Sequence, residues 1–180
     1  MGLRGRTKLL DYNCFFVTTT CHNFLPLLEE NNCKAILYDT MKFVNEKYSC
    51  EIISYVWMPN HIHFICYFKE KNFLIEYMRD FKKYSSVKIR DYFYATENHE
   101  MVNAIQYVHR KQTIKIWKDR FDDLYLFKEK TLLQKLKYIH DNPVRKNFCS
   151  IPSDYIHSSA AFYHFDKTPL IKILHCREIL

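Results

Sequence analysis

Tyr55-Val56-Trp57-Met58-Pro59-Asn60-His61-Ile62-His63-Phe64-Ile65-Cys66-Tyr67-Phe68 is an apolar run broken once, and the break decides how the chain folds. Met58-Pro59-Asn60 carries turn chemistry, so the run reads as two strands, 50–57 and 61–68, joined tightly. Side chains alternate along a strand, which sends His61, His63, Ile65 and Tyr67 to one face and Ile62, Phe64, Cys66 and Phe68 to the other. The imidazoles are then neighbours, about 6 to 7 Å apart along the strand. At that spacing two neutral rings can share one divalent ion if a third ligand joins them. Histidines that only hydrogen-bond are also common, so the pair alone leaves both readings open.

Working outward, 12–20 is aromatic and β-branched and predicts the first strand. The spacing of Ile36, Leu37, Met41, Val44 and Tyr48 predicts a core-packing helix over 31–48, capped by Asn31 or Asn32. A second helix is expected over 71–93, with Phe73, Leu74, Tyr77, Met78, Phe81 and Tyr84 on its apolar face and Arg79, Lys82 and Lys83 among its polar residues. Residues 94–115 lack a clear period and read as a weakly structured connection, followed by a last strand or hairpin in 116–127. Leu132, Leu133, Leu136 and Ile139 predict a third helix over 130–141, ended at Asn142 by Pro143. The order is strand, helix, strand, strand, helix, strand and an added helix. That predicts an α+β, ferredoxin-like βαββαβ antiparallel sheet with helices on one face and the other face free for a site. No repeat or linker divides the chain, so one domain over 1–180 is expected: a basic arm (1–11), a core (12–143) and a C-terminal wrap (144–180).

Composition narrows the chemistry. The only glycines are Gly2 and Gly5, which excludes phosphate loops of the P-loop or dinucleotide type. A net charge of +7 permits a polyanionic partner without requiring one. Seven cysteines without a Cys-x-x-Cys pair argue against a zinc ribbon or a disulfide framework and favour reduced thiols in a cytoplasm. The longest uncharged run, 52–68, is interrupted by Pro59, Asn60 and two histidines, and neither a signal peptide nor a membrane span is expected.

Three further stretches join the histidine pair: Asp80-Phe81-Lys82-Lys83-Tyr84-Ser85-Ser86, Trp117-Lys118-Asp119-Arg120-Phe121-Asp122-Asp123, and Tyr138-Ile139-His140-Asp141-Asn142-Pro143-Val144-Arg145. With Pro152-Ser153-Asp154-Tyr155-Ile156-His157-Ser158-Ser159-Ala160, they stand in the order found in one group of proteins. Pro59 to Ile65 resembles the His-hydrophobic-His motif of the HUH nucleases. The set as a whole, over about 12–165, resembles the single-tyrosine insertion-sequence transposases, above all the REP-associated tyrosine transposases. Where such proteins often carry glycines, this chain has Asp11 before Tyr12 and Lys146-Asn147-Phe148 after Asn-Pro-Val, which bears on recognition of a particular DNA hairpin.

The resemblance implies Tyr138 as nucleophile, His61 and His63 as metal ligands and Asn142, one helical turn after Tyr138, as the third ligand. It also implies a 5′-phosphotyrosine intermediate in cutting and rejoining single-stranded DNA. With so few hard ligands, Mg²⁺ or Mn²⁺ bound together with DNA is expected rather than a permanent zinc. Arg79, Lys82, Lys83 and Arg145 are expected to track phosphates beside the metal site; Trp117, like Phe121, can stack on a base, although packing in the core is the commoner fate of such a ring. His140, about 200° around the helix from Tyr138, reads as a surface group or one supporting the ligands. Hairpin-forming single-stranded DNA is the expected partner, and monomer and homodimer both remain open. The alternatives are a non-cleaving, domesticated nucleic-acid-binding module of the same fold and a hydrolase using metal-activated water.

Overall fold

The computed structural model describes residues 13–109 and 112–179, so the expected basic arm and Tyr12 lie outside the described residues. Strands β1 (Cys14–Thr20), β2 (Cys50–Met58), β3 (His61–Phe68) and β6 (Asp122–Tyr125) form an antiparallel sheet in the order β2-β3-β1-β6. Helices α1 (Asn31–Lys47) and α2 (Leu74–Ala95) follow β1 and β3, giving the expected βαββαβ path. Val17, Trp57, Ile62, Phe64 and Cys66 on one sheet face pack against Leu37 and Met41 of α1 and Tyr77, Met78 and Phe81 of α2. Burying each of the larger apolar side chains is worth about 1.5 to 3 kcal/mol.

The opposite face is not free. Phe16, Ile53, Val56, Met58 and Ile65 on that face pack against Leu132 and Ile139 of α4 (Glu129–Arg145) and against Cys176. Sequence order alone does not say where a helix beyond the last strand docks. The apolar residues on the histidine face are what recruit it.

A bulge in β2 sharpens this face. Ile52 pairs with Cys66 and Ser54 with Ile65, leaving Ile53 without an opposite residue. Ile53 and Ser54 therefore both turn toward α4.

The interval 94–115 contains α3 (His99–Ile105) and the hairpin β4 (Gln106–His109) with β5 (Gln112–Ile114), correcting the expected unstructured connection. Asn98 caps α3 by accepting from the Met101 amide at 3.1 Å, and Val102 and Ile105 enter the core. Seven residues of helix are too few to display a period. In 116–127 only 122–125 is strand; Trp117 bridges to Cys21 instead.

Pro143 does not stop α4, which runs on to Arg145. Lacking an N–H, the proline forgoes a single bond in the last turn, and its ring is buried. The cap follows. Asn147 takes the left-handed conformation at φ 59°, and the Phe148 amide reaches back to the Pro143 carbonyl at 2.9 Å. An asparagine thus meets the backbone demand that glycine meets most readily.

The C-terminal segment contains α5 (Ala160–Phe165) and docks on β2 through bridges Val56 to Ser158 and Ile52 to Ile173. His140, for which a surface place was one of two expectations, is buried; its Nε2 lies 2.9 Å from Ser159 Oγ and 3.2 Å from Ser54 Oγ. This three-residue contact ties α4 to β2 and to the C-terminal segment. Among the described residues, no helix is long and apolar enough to cross a membrane.

Candidate active site

On the face covered by α4, the rings of His61 and His63 stand 4.8 Å apart between centroids, as strand alternation requires. Register places Thr18 of β1 opposite His63, and its Oγ lies 2.8 Å from His63 Nδ1. His61 Nδ1 donates to the Asn60 side-chain oxygen at 2.7 Å, while Asn60 Nδ2 donates to the Phe24 carbonyl at 3.3 Å. The two Asn60 bonds fix which end of its amide faces the ring. Both histidines therefore hold Nδ1 in a local bond and keep Nε2 as the atom available to a ligand.

Burial pulls the His63 imidazole down to about 3, with the charges of His61 and Lys135 acting the same way. His61 is lowered too, first by burial and then by Lys146. Neutral imidazoles are the form that binds metal.

Tyr138 meets His63 with ring centroids 5.3 Å apart and Phe16 at 5.9 Å, and Phe16 itself stacks on His63 at 5.6 Å. Asn142 follows one turn later and Lys146 another turn on. Tyr138 touches His63, and Lys146 and His61 line one cleft, so Asn142 occupies the turn of α4 between two residues that reach the histidine strand. Its Oδ1 is buried and has no hydrogen-bond partner. An orphaned buried acceptor costs about 1 to 3 kcal/mol, a cost that a bound cation would relieve. No three His, Cys, Asp or Glu side chains cluster to form a metal cage among the described residues. The candidate donors are then the two imidazoles and the unpartnered amide oxygen of Asn142.

Arg145 joins the site, its guanidinium 5.5 Å from the centre of the Tyr138 ring. The other expected DNA contacts do not. Arg79, Lys82 and Lys83 belong to α2, on the opposite side of the sheet, because the apolar face of that helix is buried against Ile62 and Phe64. Arg79 pairs with Asp80 at 2.9 Å, and that bond, together with Lys47 and Tyr48, holds the carboxyl well below the usual range. Lys82 donates to the carbonyls of Lys118 at 2.9 Å and Arg120 at 3.1 Å, and burial pushes its ammonium down to about 8. Trp117 is 4% exposed and donates to Ser85 Oγ at 2.9 Å, so it is a core residue with no face for a base.

Sequence reasoning missed Lys135, whose Nζ lies 4.6 Å from the Phe16 ring centre and 5.4 Å from that of Tyr138. It also missed Lys146, Thr18 and Asn60. The signal for the lysines was present: positions 135, 138, 142, 145 and 146 share one side of a helix.

The family model for IS200-like transposases matches residues 8–142. A REP-associated tyrosine transposase solved bound to a REP hairpin superposes with a TM-score of 0.63 at 20% identity, covering 90% of this chain and 86% of that one. A second solved protein, a putative transposase from Deinococcus radiodurans R1, gives 0.50 at 13% identity over 72% of this chain and 90% of that one. No curated protein matches significantly.

Proposed function

The chain belongs to the IS200-like transposase family, and from that premise we propose that it cuts and rejoins single-stranded, hairpin-forming DNA through a bond between Tyr138 and a 5′ phosphate. The observation that carries this reading is the ring of Tyr138 against His63, one turn before the unpartnered oxygen of Asn142.

In the forward step the Tyr138 oxygen attacks phosphorus in line and the bond to O3′ breaks. The phenolic proton is lost to water, and the departing O3′ takes one up as a free hydroxyl. A later attack by a 3′ hydroxyl on the phosphotyrosine restores the phosphodiester, so joining needs no nucleotide cofactor. His61, His63 and Asn142 would hold a divalent ion, Mg²⁺ or Mn²⁺, whose chemistry is to offset charge on the phosphate oxygens. Lys135, Lys146 and Arg145, the last 3.6 Å from Asp141, bring positive charge to this side of α4, and among the described residues no carboxylate joins the candidate donors, which supports an ion bound jointly with the DNA phosphate. Asn60 and Thr18 orient the imidazoles. A structural relative solved with a REP hairpin supports a hairpin-forming substrate.

The test incubates labelled hairpin DNA carrying single-stranded flanks with protein and Mg²⁺ or Mn²⁺. A denaturation-resistant adduct that disappears in Tyr138→Phe is expected. Cutting without an adduct, or equal cutting by the variant, would assign the chemistry to water; binding without cutting would leave a non-cleaving module.

A further inference from the structure

We propose that the cleft at the His61 end of the site binds a DNA base, that of the nucleotide leaving with the free 3′ hydroxyl, with Phe24 as its stacking platform. This rests on the DNA-cutting reading above and specifies how its substrate is held.

The cleft has a volume of about 460 Å³, and its lining includes Phe24, Pro26, Met58 and Phe148, with His61 and Lys146 at the side shared with the metal-ligand candidates. Phe24 is 60% exposed and Phe148 50% exposed. Asn23 at φ 51° and Phe24 at φ 56° hold left-handed backbone that is unfavourable for a bulky side chain. The bond from Asn60 Nδ2 to the Phe24 carbonyl at 3.3 Å links that conformation to the residue that orients His61. The platform and the metal-ligand candidate are thus one unit.

The chemistry of the lining selects a nucleobase. Lys118 Nζ sits over one face of the Phe24 ring, 3.4 Å from its centre, so a base would stack on the other face, and Lys146 in the lining adds positive charge suited to a nucleic-acid backbone. Glu29, also in the lining, disfavours a phosphate within the cleft itself. The flat uncharged part of a nucleotide is what remains.

Direction follows from geometry. Tyr138 stands beside His63, whereas the cleft opens beside His61 and Lys146, two helical turns farther along α4. In-line displacement puts the leaving oxygen opposite the attacking one, so the nucleotide that keeps O3′ extends toward the cleft.

The experiment uses full-length Tyr138→Phe protein, so that cutting cannot intervene, and hairpin oligonucleotides with single-stranded flanks in which one abasic residue is moved position by position. Binding is read by fluorescence anisotropy. One position should lose about tenfold in affinity when its base is removed. Phe24→Ala should show the same loss with intact DNA and no further loss at that position, while Phe24→Trp restores the binding. Additive losses, no sensitive position, or no DNA binding would each overturn the subsite. Failure of wild-type protein to form an adduct would overturn the cutting reading while leaving a positive abasic scan intact.

Discussion

The ring of Tyr138 meets that of His63 edge-on, with planes 71° apart, and Phe16 closes the corner by stacking on the same histidine at 19°. A helix that follows the whole sheet thus delivers its phenol to a strand in the middle of it.

Phe16 is the wall of that corner. Phe16→Leu should keep DNA affinity within about twofold, since no phosphate contact is lost, but slow adduct formation about tenfold by loosening the phenol. Single-turnover kinetics beside equilibrium binding separates the two quantities. Equal loss in both would make Phe16 a general folding residue.

Asn142 offers a contrast between stability and activity. Its Oδ1 is buried without a partner, so Asn142→Leu should be neutral or stabilising by up to about 1 to 2 kcal/mol in denaturant unfolding while abolishing the adduct. Asn142→Asp should tighten Mn²⁺ binding, measured by electron paramagnetic resonance, because an anionic oxygen replaces a neutral one. Unchanged Mn²⁺ affinity in both variants would remove Asn142 from the ligand set.

Thr18 anchors the Nδ1 side of His63 at 2.8 Å. Thr18→Val, nearly the same in shape, should weaken Mn²⁺ affinity about 10- to 100-fold, as loss of a supporting bond to a ligating histidine does elsewhere. Isothermal titration in the presence of a non-cleavable oligonucleotide reads this directly.

The proposed function puts the phosphate contacts on α4 rather than α2. Replacing Lys135, Arg145 and Lys146 together by glutamine should reduce the salt slope of single-stranded DNA binding by about two, at about 0.7 per contact. Replacing Arg79 and Lys83 should leave it unchanged. The reverse result would return the DNA to the opposite side of the sheet.

Stability should fall with acid in a way that His140 helps to set. Burial lowers its imidazole to about 4, so above pH 6.5 the folded and unfolded forms are both neutral and the protein has its full stability. Between 6.5 and 4 the unfolded chain takes up a proton that the folded one refuses, and each such histidine removes about 1.4 kcal/mol per pH unit. His140→Asn should be less stable at pH 7 yet lose less on going to pH 5, measured by denaturant midpoints.

The fold was legible where alternation was long. The two strands around Met58-Pro59-Asn60 and the helices at 31 and 74 carried enough periodic residues to declare themselves. The β4–β5 hairpin did not, because strands of four and three residues cannot show a period. Pro143 misled because the rule against interior proline weakens in a helix's final turn. The histidines, Tyr138 and Asn142 were readable as types and spacings, but only the docking of α4 brings Tyr138 against His63. Lys82 and Trp117 looked like DNA contacts because charge and aromaticity say nothing of which partner, carbonyl or phosphate, core or base, is nearer.

β2 is nine residues long, apolar on both faces, and lies at the margin of its sheet. Left bare, such a margin is a template on which another molecule's strand can grow. The bridges from Ser158 and Ile173 occupy it at two points, so the C-terminal segment takes up hydrogen-bonding groups that another strand could otherwise use. A chain cut short before Ser158 should bare that margin and clump, an outcome that light scattering would register.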